Sequence, residues 1–332
     1  MKAIWMSTRG EEVLRKVYND EDRMRLEREL EFTATVTDPS QLGSLDLTDV
    51  DFIFSTWGMM ELTREQIRTL MPSLKAVFYG AGSVQTFARP FLEEGVRVFS
   101  SATANAVPVA EYTVSQIVLA CKGFFQAARL YKEGRHSEAR AFSEAHPGMY
   151  DTYIGLIGAG QIGRLVIRML ASYDIKIKVF DPFLPEKQAQ ALGVEKTSLE
   201  DLFASCAVIS NHLANNPQTV GMLHGQLFDL MQPYATFINT GRGAQVVEAD
   251  LAEALRKEPG RTAVLDVTLP EPVEEGHPFY DLPNVILTPH IAGSMQQERA
   301  RMGHYQMLEF FRVRNHETPA LEVTLQMLSI MA

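Results

Sequence analysis

Cysteine is almost missing from the 332-residue chain, which holds only Cys121 and Cys206. The two are far apart, with no CxxC and no Cys/His cluster, so a structural zinc site is not expected, no metal is assigned, and a reducing, cytoplasmic setting is. Long hydrophobic runs are missing too. No apolar stretch approaches the ~18 residues needed to span a bilayer. The apolar run in MKAIWMSTRGEE at the start is too short for a secretory signal and passes at once into charge. Positive charge is in deficit, 31 Lys and Arg against 41 Asp and Glu, for a net charge of −10. That balance argues against a nucleic-acid or membrane partner, because such surfaces need clustered Lys and Arg. The basic residues from Arg23 to Arg28 are interleaved with acids and read as a solvated helix face. Sixteen prolines and twenty-two glycines are dispersed, so no low-complexity tract stands out, and no solenoid repeat is visible.

What is present is a two-domain α/β pattern. The length exceeds one ordinary core. In the first third, KAIWM (Lys2–Met6), TATV (Thr33–Val36), DFIFS (Asp51–Ser55), KAVFYG (Lys75–Gly80) and VRVFS (Val96–Ser100) read as strands, alternating with helical stretches such as Val13 to Leu30. This alternation predicts a parallel sheet in a small flavodoxin-like unit. From Asn105 to about Tyr131 a long apolar helix is expected, with Pro108 near its start, buried in a core or against a second subunit. A polar stretch, Lys132–Tyr150, separates it from a second strand series, IGLIG, IKVFD, AVISN, ATFIN, AVLDV and VILTP. A last helix is expected from Gln296 to Arg314. The expected fold is two doubly wound parallel-sheet domains, Rossmann-like and flavodoxin-like, with a cleft between them. Residues 1–104 plus 295–332 form the substrate domain and 105–294 the nucleotide domain.

Gly158-Ala159-Gly160-Gln161-Ile162-Gly163 is a G-x-G-x-x-G. By itself such a run is weak. Here it follows the strand Tyr153–Ile157, opens a helix over Arg164–Ser172, and is followed by the strand Lys176–Phe180 and then Asp181, about 20 residues on. Gly158 permits the tight turn, Gly160 lets backbone approach a pyrophosphate, and Gly163 lets helix and strand pack closely. The helix N-terminus offers free N–H groups to the phosphates. Asp181 can accept from ribose hydroxyls, and a 2′-phosphate there would meet a carboxylate, so NAD(H) is expected rather than NADP.

Ligands of open parallel sheets sit beyond the carboxyl ends of the strands. There, ATFIN runs into Thr240-Gly241-Arg242, AVLDV into Thr268-Leu269-Pro270-Glu271, and VILT into Pro289-His290. Singly, each of Arg242, Glu271 and His290 has a plain structural explanation. Jointly, beside a dinucleotide fingerprint, they suit hydride chemistry on a secondary alcohol. Histidine manages the hydroxyl proton, a carboxylate holds the imidazole and favours its charged form, and arginine binds a substrate carboxylate and polarises a carbonyl.

These motifs resemble the D-isomer-specific 2-hydroxyacid dehydrogenase family along most of the chain. NAVPVAE (Asn105–Glu111) is similar to the start of its long interdomain helix, and GLIGAGQIG to its fingerprint. INTGRGAQVVEADLAEAL (Ile238–Leu255), LDVTLPEP (Leu265–Pro272) and LPNVILTPHIAG (Leu282–Gly293) resemble its arginine, glutamate and histidine signatures. The resemblance implies that Arg242 binds a small 2-keto acid, that His290 is the acid/base and that Glu271 pairs with it. It implies Gly158, Gly160, Gln161, Ile162, Gly163, Asp181, Thr240, Asp266 (on the nicotinamide side), His290 and Gly293 as the cofactor contacts. Gly80-Ala81-Gly82 looks like the family's glycine loop for the substrate carboxylate, and Asn105 like a hinge. A homodimer is the family expectation, as is hinge closure over the substrate.

Departures are informative. Val84 stands where an Asp is common, which bears on the shape of the glycine loop, and Val247 replaces an acid, with Glu248 following. Ala81 argues against a phosphite oxidase, which uses lysine there, and Glu271 against a formate dehydrogenase, which uses glutamine. Trp57, Met59 and Met60 follow a strand. They line the substrate side or, as is commoner at such places, pack a core. The expected activity is interconversion of a small 2-keto acid and its D-2-hydroxy acid, as in a glyoxylate or hydroxypyruvate reductase. The alternative is an NAD(H)-binding sensor resembling the corepressors of the family, against which the short tail after the last helix and the intact trio are expected to weigh.

Overall fold

The computed structural model describes residues 1–329. It divides into two compact units, Met1–Asn105 with the chain from Ser294 on, and Ala106–Gly293.

The first unit holds five parallel strands, β1 (Lys2–Met6), β2 (Glu31–Val36), β3 (Val50–Ser55), β4 (Ala76–Tyr79) and β5 (Arg97–Ser100). The sheet order is β5-β4-β3-β1-β2, with Glu322–Val323 added antiparallel beside β5. This is the flavodoxin-like arrangement. Strands β1, β3, β4 and β5 are buried along almost their whole length, as their near-continuous apolar runs demand, whereas the edge strand β2 is partly exposed. One face packs Val77, Val84, Phe87 and Phe91, and the other packs Trp5, Phe54, Phe78 and Phe99 against Met302, Met307 and Phe310 of the final helix, Gln297–Arg314.

The second unit holds a seven-stranded parallel sheet: β6 (Tyr153–Ile157), β7 (Lys176–Phe180), β8 (Glu195–Lys196), β9 (Val208–Asn211), β10 (Thr236–Asn239), β11 (Thr262–Leu265) and β12 (Val285–Leu287). The order β8-β7-β6-β9-β10-β11-β12 is doubly wound, reversing between β6 and β9. The helix Ala102–Ala120 contributes Ala110, Ile117 and Ala120 to the core formed with Ile154, Leu156 and Val166.

Two expected helices are each broken in two. The stretch Val13 to Leu30 becomes Glu11–Val17 and Asp20–Glu27, because Asn19 turns out of the helix and its side chain accepts the N–H of Asp22, starting a new helix. The long apolar helix ends at Ala120 and resumes as Phe124–Lys132, because Gly123 adopts φ +63°. The polar stretch after it contains a helix, His136–Glu144, and the fingerprint helix starts at Gln161 rather than Arg164.

Candidate active site

The reversal between β6 and β9 places the glycine turn against the end of β9. Gly158 has φ +97°, and a side chain on it would meet the His212 carbonyl oxygen at 2.8 Å. A Cβ on Gly163 would lie 2.1 Å from the Gly158 oxygen, so strand and helix touch backbone to backbone there. Around Gly160, by contrast, there is open space. The N–H groups of Gln161 and Ile162 in the first helical turn find no partner among the described residues. A cradle walled by backbone, open at its middle glycine and lined with free donors fits a pyrophosphate. Asp181 closes the turn, one oxygen accepting Ala159 N–H at 2.7 Å and the other Phe183 N–H at 2.8 Å. Each oxygen keeps acceptor capacity for a ribose hydroxyl.

His212 was not singled out in the sequence. It is buried, its Nε2 sits 3.0 Å from Ser210 Oγ, and burial pushes its pKa down to about 4. A neutral imidazole therefore backs the glycine turn. Burial also pushes both thiols, Cys121 and Cys206, up to about 12, which removes them as nucleophiles.

Arg242 follows β10 on a loop held by buried amides. Asn211 Nδ2 donates to Asn239 Oδ1 at 3.0 Å and to Gln245 Oε1 at 2.7 Å, and Gln245 Oε1 also accepts Arg242 N–H at 3.1 Å. This network, also unremarked in the sequence, leaves Arg242 half-buried, with Nη1 donating to the Gly241 carbonyl at 2.8 Å. Burial pulls its pKa down, and the charge of Glu271, on the loop after the neighbouring strand, opposes that. Thr240, beside it, is buried with Oγ1 3.4 Å from Thr113 Oγ1.

His290 Nδ1 and Glu271 Oε1 are 2.7 Å apart, both side chains remaining open to solvent. His290 has φ +53°, the left-handed region that non-glycine residues rarely occupy. Asp266, which the resemblance gives to the cofactor, is buried and grips this loop. Its Oδ1 accepts Ile291 N–H at 2.9 Å and Thr288 Oγ1–H at 2.6 Å, and its Oδ2 accepts Ala292 N–H at 2.8 Å. Gly293 ends the loop in a bend. Glu248, after the departing Val247, has a role as well: it accepts Leu269 N–H at 2.8 Å and so tethers the start of the Glu271 loop.

In the first unit, the carbonyls of the glycine loop are tied back. Thr56 Oγ1 donates to Gly80 O at 2.9 Å, and Ser100 Oγ to Gly82 O at 2.5 Å. The N–H groups of Ala81 and Gly82 have no partner among the described residues, as an anion-binding loop requires. Val84 is fully buried in the apolar core, so its departure from the family pattern serves packing. Met59 and Met60 are core residues too, whereas Trp57 is half-buried at the reversal between β1 and β3, with Arg299 Cζ 5.9 Å from its ring centre. Asn105 Oδ1 accepts Ser294 N–H at 2.9 Å, joining the two points where the chain passes between units. Among the described residues no cluster of three or more His, Cys, Asp or Glu is placed to hold a metal ion.

The family model for the NAD binding domain of D-isomer specific 2-hydroxyacid dehydrogenases matches residues 114–292, more than half the chain. The chain belongs to that family. Its cofactor is NAD(H), and the glycine cradle and Asp181 fit it. The D-3-phosphoglycerate dehydrogenase of Mycobacterium tuberculosis is 30% identical over 239 residues, 72% of this chain and 44% of that protein. This chain thus spans less than half the length of that relative. The formate dehydrogenase of Neurospora crassa is 28% identical over 285 residues, 82% of this chain and 76% of the relative. Among solved structures, a phosphoglycerate oxidoreductase from Rhizobium etli superposes with a TM-score of 0.81 at 23% identity, covering 98% of this chain and 99% of that one, a likeness of fold.

Proposed function

We propose that this family member is an NAD-dependent oxidoreductase that interconverts a small 2-keto acid and its D-2-hydroxy acid. The observation that carries the reading is the 2.7 Å contact between His290 and Glu271 beside the half-buried Arg242. Glu271 engages Nδ1, which leaves Nε2 of His290 to face substrate. In the reductive direction Nε2–H donates its proton to the substrate's keto oxygen, and in the oxidative direction Nε2 takes the hydroxyl proton. Arg242, desolvated and therefore strongly felt, binds the carboxylate and draws charge toward the developing alkoxide. Bound NADH supplies the hydride, or NAD accepts it.

The free N–H groups of Ala81 and Gly82 support their assignment to the substrate carboxylate. The first unit is then the substrate domain and Ala106–Gly293 the nucleotide domain. The formate reaction of the Neurospora relative is disfavoured by Glu271. The reading takes the protein as a cytoplasmic homodimer, on the family likeness and two buried free thiols.

The test is NADH consumption against a panel of 2-keto acids, with His290→Ala alongside. Turnover on at least one member is expected, falling ~100-fold or more in the variant while NADH affinity stays within ~3-fold, as loss of general acid–base catalysis implies. NADH binding without turnover on any 2-keto acid overturns the reading in favour of a sensor.

A further inference from the structure

The backbone of His290 is held by more than the Asp266 carboxylate. Thr288 Oγ1 donates its only proton to Asp266 at 2.6 Å, so in its 3.1 Å contact with Tyr112 it can only accept. The polarity of the chain is therefore fixed. Tyr112 O–H donates to Thr288, Thr288 donates to Asp266, and Asp266 accepts the N–H groups of Ile291 and Ala292 on the far side of His290. His290 N–H adds bonds to Asp266 O at 3.1 Å and Thr288 O at 3.0 Å. Tyr112 lies in the helix Ala102–Ala120, whose Ala110 and Ile117 are fully buried, so its hydroxyl is presented from a rigid element. The phenol is half-buried, and burial raises its pKa, which keeps the proton on it.

We propose that Tyr112 is a positioning residue for the acid/base step, acting through Thr288 and Asp266 to hold His290 in its left-handed backbone conformation. This rests on the dehydrogenase reading of the site. Loops with one non-glycine residue at positive φ persist only where their surroundings over-determine them. Here the over-determination is this hydrogen-bonded chain. A looser loop lets the imidazole wander from the reacting oxygen, and misplacement lowers the chemical rate more than substrate affinity.

The test uses the holoprotein. Tyr112→Phe, which keeps the ring and its packing, is expected to lower kcat ~3–10-fold with KM within ~2-fold, the rate factor of one net hydrogen bond. Thr288→Val, which cuts two links, is expected to lower it further, and Thr288→Ser to restore it to within ~3-fold. Tyr150→Phe, on an exposed ring, is the unaffected control. An activity-independent readout is the ring resonance of His290 in NADH-saturated protein, assigned with His290→Ala. It is expected to shift or broaden in Tyr112→Phe. If wild-type protein turns over no 2-keto acid, the dehydrogenase reading fails and the resonance alone decides on the tether. An unmoved resonance, or an unchanged kcat in an active enzyme, overturns the proposal, as does equal damage from Thr288→Ser and Thr288→Val.

Discussion

Two strand-end loops of the nucleotide unit solve the same problem in opposite ways. Each lies at the carboxyl edge of one sheet, where the proposed function has it meet a ligand, and each contains a residue at positive φ. The turn after β6 meets the demand by leaving atoms out: Gly158 takes φ +97° without a Cβ, and Gly163 lets two backbones touch. The loop after β12 cannot do so if, as proposed, its histidine is the acid/base, because that role needs an imidazole at the strained position. It keeps a full side chain at φ +53° and restrains it with Asp266, Thr288 and Tyr112. On the proposed reading, a site built from backbone N–H groups is spoiled by an added atom, whereas a strained acid/base loop is weakened by each lost hydrogen bond.

The largest effect that sharpens this contrast is expected in the glycine turn. Gly163→Ala puts a methyl 2.1 Å from the Gly158 carbonyl oxygen, a clash with backbone that no rotamer relieves. The variant should lose roughly 3 kcal/mol or more of stability, the range of severe overpacking, and with it measurable NADH binding. Gly160→Ala is the discriminating partner. Its Cβ meets nothing within 4 Å, so melting should be nearly unchanged while NADH affinity, read by fluorescence titration, falls at least ~10-fold. If Gly160→Ala binds NADH normally, the pyrophosphate does not approach that residue.

A smaller effect is expected behind the same turn, at His212. Burial holds its pKa at about 4, against about 6.5 for an unfolded histidine. Between those values the unfolded chain binds a proton that the folded chain refuses, so stability falls as pH drops from about 6.5 toward 4, with a slope of about 1.4 kcal/mol per pH unit for this one group. Other groups titrate in the same window, so the quantity to measure is a difference. Urea midpoints of wild type and His212→Asn at pH 7, 6 and 5 should converge as pH falls. Parallel curves would mean that His212 takes up its proton in the folded protein.

How much of this was legible in the sequence follows from what each feature depends on. Strand positions were readable because parallel strands buried on both faces must be short continuous apolar runs, and the glycine turn because its spacing is dictated by backbone geometry. The positions of Arg242, Glu271 and His290 just beyond strand ends were readable because each follows a recognisable apolar strand. Helix breaks at Asn19 and Gly123 were misjudged because one cap or one left-handed residue interrupts a pattern that stays apolar on either side. The supports were harder to read for a different reason. Asp266 was expected only as a cofactor contact, and its hydrogen-bonded link to Thr288 and on to Tyr112 spans 22 and then 176 residues of sequence, which no local spacing announces. Nor does a composition-level rule distinguish Met59 and Met60 in a core from Trp57 at a sheet reversal; only the packing does.

The smallest effect concerns the strain itself. In most positions Ala is the safer replacement for a side chain and Gly the more disruptive one, because Gly gives the unfolded chain more freedom to lose. At φ +53° the order should invert, since the Cβ of any L-residue crowds the backbone there and glycine alone escapes. His290→Gly is therefore expected to be more stable than His290→Ala by about 1 kcal/mol, with both equally inactive on 2-keto acids, and paired thermal melts measure the difference. The inversion would show that the loop is held in its left-handed form in solution. The ordinary order, with Ala more stable, would show that the loop relaxes, and then the hydrogen bonds around Asp266 would be following the backbone of His290 rather than constraining it.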